Sequence, residues 1–142
     1  MSAQDDERRR RANHTIDRAL ELLLAHDMTG FAMLWAPHGT MEFPFAGPGQ
    51  PSRLDSRAAV LDYLAGYTEM LDVRNVIAQT RHQTLDPDTV VVEFDVEGVA
   101  VATQRPYLMR YIAVITVGDD GIVNYRDYWS PSAAADALGE SA

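Results

Sequence analysis

The stretch "TVVVEFDVEGVAVAT", residues 89–103, decides the fold class. Val90, Val92, Phe94 and Val96 alternate with Val91, Glu93, Asp95 and Glu97. That period of two puts an apolar row on one face of a β-strand and a largely acidic row on the other. Gly98 sits inside the strand, where a bulge or bend is expected. Turn sequences bound the stretch, "DPD" at 86–88 and "QRP" at 104–106. Beyond them lie "VRNVIAQTRHQTL" (73–85), "YLMRYIAVITV" (107–117) and, after "GDDG" (118–121), "IVNYRDYWS" (122–130). Four consecutive strands joined by short turns predict an antiparallel meander.

Upstream the period changes to that of a helix. Ile16, Leu20, Leu23 and Leu24 predict an amphipathic helix over residues 6–26. His26 and Asp27 cap a second, short helix from Met28 to Ala36, which Pro37 stops by removing a donor. "GTMEFPF" (39–45) reads as an aromatic strand, and "AGPGQPSR" (46–53) as a loop whose Gly47–Pro51 segment is a candidate lid. Asp55 or Ser56 caps a third helix, on which Val60, Tyr63, Leu64 and Tyr67 share one side. Helices followed by an antiparallel sheet predict an α+β, cone-shaped fold, with three N-terminal helices packed in a strongly curved antiparallel sheet. Such a cone encloses a cavity, and function is expected there. One domain is expected over 1–142, with a core at about 8–132 and roughly ten loosely held residues at each end.

Composition removes several function classes. Without cysteine there is no disulfide framework, thiol catalysis or zinc ribbon. A net charge of −9 with no lysine disfavours a phosphate-binding surface, so no nucleic-acid partner is expected. No segment approaches the roughly 20 apolar residues that span a bilayer, and a cytoplasmic protein with no membrane partner is expected. The arginines at 8–11 read as a solvated, partly frayed helix start. No histidine pair has metal-ligand spacing with a carboxylate, so neither a metal nor a cofactor is expected.

Strand parity selects the candidate site. Tyr125, Asp127 and Trp129 share a face of the last strand, as Tyr107, Met109 and Tyr111 do in the strand before it. An aspartate among aromatic rings is costly to bury ionised, so its pKa should rise and make it an acid/base. A structural carboxylate satisfied by neighbouring donors is the other reading, and residue type alone leaves both open. His82 is either a second cavity acid/base or an exposed strand residue. Glu93 or Asp95 is expected to pair with Arg110 across the sheet. Tyr63, Tyr67, Tyr107 and Tyr111 can donate hydrogen bonds to a carbonyl or enolate, while Trp35, Phe43, Phe45, Phe94 and Trp129 supply apolar walls. Apolar residues on both faces of the last two strands suggest a homodimer through the outer sheet face.

"FAMLWAPHGTMEFPFAGPGQPSRLDSRAAVLDYL" (31–64) and "RPYLMRYIAVITVGDDGIVNYRDYWSP" (105–131) resemble the SnoaL-like and PhzA/PhzB-like branch of the nuclear-transport-factor-2-like superfamily. The resemblance spans about residues 8–132 and implies the cone fold. In phenazine-type members it places an acid/base in a last-strand motif that looks like "RDYW", where Asp127 stands in place of a glutamate. Their third-helix histidine is Tyr63 here, which argues against phenazine condensation itself. Ala19, Phe43 and Met109 occupy the positions of the ketosteroid isomerase tyrosine and aspartates, so that chemistry is not implied. The resemblance implies a cofactor-independent acid/base enzyme of specialised metabolism that cyclises, isomerises or dehydrates a carbonyl-containing polyketide or aromatic ring precursor. Asp127, His82 and Tyr63 are its candidate catalytic residues. The alternative is a non-catalytic protein that binds a small apolar or aromatic metabolite in the same cavity.

Overall fold

Ser2 leaves an extended backbone, and its hydroxyl accepts a hydrogen bond from the Asp5 amide at 3.0 Å, which starts the first helix, α1 (Ala3–Leu24). This computed structural model describes residues 2–130. Ala12, Ile16, Ala19, Leu22 and Leu23 form the buried stripe of α1. Asp27 caps α2 (Met28–Ala32) by accepting from the Gly30 amide, and Ser56 caps α3 (Arg57–Leu64) by accepting from Ala59. A single turn, α4 (Tyr67–Met70), precedes the meander. The strands are β1 (Trp35–Glu42), β2 (Arg53–Leu54), β3 (Leu71–Gln83), β4 (Thr89–Ala100), β5 (Pro106–Gly118) and β6 (Gly121–Tyr128), in the order β2-β1-β6-β5-β4-β3.

The architecture is α+β, with the helices on one face of a curled six-stranded sheet. Val90, Val92, Phe94 and Val96 of β4 are buried on that inner face, as are Met109, Ala113 and Ile115 of β5. Leu108, Ile112 and Val123 are exposed on the outer one. Curvature comes from β3, whose register against β4 shifts between Val73 and Asn75 and again between Val76 and Ala78. The irregularity expected at Gly98 therefore lies on the facing strand. Gly98 permits it, because a Cβ there would stand 2.1 Å from the Asp72 carbonyl oxygen.

Several expectations need correction. The sheet is antiparallel except that β1 runs parallel to β6, a pairing between segments far apart in sequence. The second helix ends at Ala32 rather than Ala36, and Trp35 already belongs to β1. Pro37 is inside that strand. It is tolerated because the β1–β6 register breaks between Trp35 and Thr40, so its missing N–H costs no ladder bond. The third helix stops at Leu64, which leaves Tyr67 on α4.

The start of α1 is not frayed. Arg8 donates from Nε and Nη2 to the two carboxylate oxygens of Asp88 at 2.8 and 2.7 Å. Arg11 bridges Asp88 at 3.2 Å and Asp119 at 2.7 Å. Bidentate, shared ion pairs of this kind tie the helix to the β3–β4 and β5–β6 turns. The Arg8 hydrogen bond is the main reason the Asp88 carboxyl is held below its ordinary range. The C-terminal tail expected to be loosely held lies outside the described residues. Among the described residues no helix is long and apolar enough to cross a membrane.

Candidate active site

Tyr125 and Asp127 stand opposite Ile115 and Ala113 of β5, so both side chains enter the helix-covered side of the sheet. Ala113 is fully buried and small, which leaves room beside the carboxylate. Asp127 borders a hollow of about 50 Å³. By the space one water requires, that is room for roughly four water-sized groups. Tyr67 of α4, Phe94 of β4, Tyr111 and Tyr125 line it, together with Leu23, Met28, Phe31, Met41 and Leu64. None of these last five was singled out from sequence as a site residue, although the helical spacing of Leu23 and Leu64 placed both on inward-facing stripes.

Asp127 is half-buried as a residue, but its Oδ1 has no solvent contact and no hydrogen-bond partner. Loss of water alone pushes its carboxyl up to about 7. Both protonation states are therefore populated near neutrality, the condition for accepting and returning a proton. Beside it, the hydroxyls of Tyr67 and Tyr111 are hydrogen-bonded at 2.8 Å. Burial is the chief cause that raises both phenols, with the charge of Asp127 adding to it, so they remain proton donors. One hydroxyl donates to the other, which leaves the pair one proton for a third partner. Phe94 stacks on Tyr111 with ring centroids 5.1 Å apart and fixes its plane.

The remaining sequence candidates divide by position. Tyr63 is 40% exposed and tilts over Phe43 at 5.0 Å; burial first, then the charge of Asp127, raises its phenol. Trp129 meets Phe43 edge-on at 5.2 Å, and neither lines the hollow. Trp35 is fully buried behind it, stacked on Tyr125 at 5.4 Å with Nε1 donating to the Thr40 carbonyl at 3.1 Å. Met109 and Tyr107 are core residues away from Asp127; the Tyr107 hydroxyl is buried without a partner and pushed up to about 12 by burial and by Asp72. Phe45 is 57% exposed and packs on Tyr128, whose parity is opposite to that of Asp127. His82 also lies on the outer face, where Nε2 meets Glu93 at 2.5 Å. The structure thus takes His82 and Phe45 away from the cavity. The expected Asp95–Arg110 pair is present at 3.5 Å between residues in register. Among the described residues no cluster of three or more histidine or acidic groups is arranged to hold a metal.

A small cone of helices in a curled sheet is the frame of the class to which the chain belongs. Residues 16–125 match the SnoaL-like domain model, and the chain is a member of the SnoaL-like family. The match ends two residues before Asp127. An uncharacterised Bacillus subtilis protein, YesE, is 35% identical over 131 residues, covering 92% of this chain and 89% of its own length. An uncharacterised PhzA/B-like protein of Pseudomonas aeruginosa is 34% identical over 128 residues, 90% of each chain. A Bacillus subtilis crystal structure provisionally called an isomerase has a TM-score of 0.88 at 34% identity, covering 99% of this chain and 98% of that one. A Xanthomonas campestris structure provisionally called a polyketide cyclase shares the fold at 17% identity and TM-score 0.77, covering 92% and 98%.

Proposed function

We propose that this protein is a cofactor-independent enzyme that moves a proton next to a carbonyl group, the elementary step shared by isomerisation, dehydration and ring closure. The observation that carries this reading is the Asp127 Oδ1, buried in an apolar hollow with no donor to hold its charge. The Asp127 carboxylate takes a proton from the carbon beside the carbonyl. As charge moves onto the carbonyl oxygen, the free hydroxyl proton of the Tyr67–Tyr111 pair hydrogen-bonds to it. Protonated Asp127 then returns the proton to a different carbon, or to a departing hydroxyl as water leaves. The structural relatives provisionally called an isomerase and a polyketide cyclase fit this step. His82 has no part in it.

The size of the hollow limits the substrate. Only the reacting part of a polycyclic precursor would fit in about 50 Å³, so a small ring or chain suits the site better. The outer face, with Leu108, Ile112 and Val123 exposed, is the surface we assign to a second copy of the chain.

Deuterium uptake from D₂O at the carbon next to the carbonyl of 2-butanone and cyclopentanone, followed by NMR, tests the proposal without knowledge of the natural substrate. The wild-type protein should exceed the buffer rate, with a rate that climbs through pH 7 as the Asp127 carboxylate forms. Asp127→Asn should lower that excess by about 10²-fold or more. Exchange no faster than buffer is the outcome expected of a binding protein without chemistry and would overturn the proposal. Equal exchange in both proteins would remove Asp127 from it.

A further inference from the structure

The hollow at Asp127 has a neighbour. A second void of about 30 Å³ lies between α1 and the sheet, bounded by Ile16, Ala19 and Leu20 on the helix side and by Val92 and Ile115 on the strand side. Leu23, Phe31, Phe94 and Tyr125 border both voids. No charged side chain lines the second void, and Tyr125 is its one residue with a polar side chain. Packed protein interiors leave few such gaps, and an apolar gap of this kind stays dry. Two gaps that share four walls are immediate neighbours in the core.

We infer that the two voids are the head and tail compartments of one ligand slot, and that Ala19 sets its length. The carbonyl head lies at Asp127 and the Tyr67–Tyr111 pair, and this rests on the reading of Asp127 given above. An apolar tail passes Phe31 and Tyr125 and ends against Ala19 and Ile115. The methyl of Ala19 leaves space that any larger side chain would occupy. Beside it, Leu20 borders both this void and the surface groove between α1 and β3, where Leu24 and Val76 continue the apolar floor. Leu20 is thus the plug at the far end. By the space that one water-sized group needs, the two compartments together hold roughly six non-hydrogen atoms. The substrate class is a short, unbranched or single-ring carbonyl compound with an apolar tail.

Binding of linear methyl ketones, acetone through 2-octanone, measured by NMR shift titration on the full chain, tests the slot. In the wild-type protein each added methylene should tighten binding about fourfold until the tail compartment fills, and then the gain should stop. Ala19→Leu should move that stop two to three carbons earlier, and Leu20→Ala should move it later by opening the groove; the two opposite shifts cannot both arise from loss of folding. A stopping length unchanged in both variants, or a wild-type affinity that does not depend on chain length, overturns the slot. Asp127→Asn separates the two readings. If the length profile holds while ketone binding and its pH dependence ignore this substitution, the slot stands and the acid/base reading fails. If binding needs Asp127 but has no length profile, the reverse holds. No binding by any ketone overturns both.

Discussion

On the outer face of β4, Glu93 meets His82 at 2.5 Å and Asp95 meets Arg110 at 3.5 Å, whereas on the inner face of β6, two strands away, the Oδ1 of Asp127 meets no donor. One sheet thus holds carboxylates in two settings. Outside, water and a basic side chain are both at hand, so the charge costs little and the pair contributes little. Inside, the helices have removed the water without supplying a cation, so the proton is retained to about pH 7. The outer carboxylates are surface chemistry. The inner one is costly for stability, and in the proposed reaction it carries the proton.

The largest expected effect is on stability. The folded-state value of Asp127 lies above its ordinary 3.8. Ionisation of the buried group therefore adds no cost below about pH 4, where the carboxyl is protonated in both states. The cost grows as the unfolded chain loses its proton first, and levels off above about pH 7 at a magnitude on the order of 4 kcal/mol. In urea denaturation, Asp127→Asn should gain stability relative to wild type by that amount between pH 4 and 8. Parallel pH profiles for the two proteins would break the comparison between inner and outer carboxylates.

Next in size is the tyrosine pair. Tyr67→Phe or Tyr111→Phe should each lower ketone deuterium exchange about tenfold, the scale of one hydrogen bond. The double variant should lose more than either single one, because each single variant keeps one hydroxyl that can still donate, but less than the product of the two losses. Losses that multiply would mean that the two hydroxyls act separately.

A smaller effect is expected at Asp88, which accepts from both Arg8 and Arg11. Asp88→Ala should lower Tm by a few degrees, measured by circular dichroism, and leave exchange unchanged. Smallest of all, His82→Ala and Glu93→Gln should each change stability by less than about 0.5 kcal/mol and leave exchange unchanged. Loss of exchange in His82→Ala would return that histidine to the mechanism.

Much of the meander was legible because its signals are local. The turns at 86–88 and 118–121 and the alternation in β4 fix the strands and their faces, and parity put Asp127 on the same face as Tyr125, which the structure shows to be the inner one. The parallel β1–β6 pair was not legible, since it joins segments some eighty residues apart and no local pattern encodes it. For the same reason "MTGFAMLWA" read as one helix; the pairing of Trp35 with Ile122 overrides the local preference. His82 stayed ambiguous because β3 is exposed along most of its length, so neither face announces itself. The family resemblance pointed to Asp127, but the walls facing it come from four helices whose packing angles are not written in periodicity.

The most direct measurement is the titration of the Asp127 side-chain carboxyl by carbon-13 NMR, assigned by its loss in Asp127→Asn. A midpoint near 7 is expected if the inner face holds this acid away from water and from cations. A midpoint in the ordinary aspartate range near 4 would show a solvated or paired carboxylate, and the account of the site would fail with it.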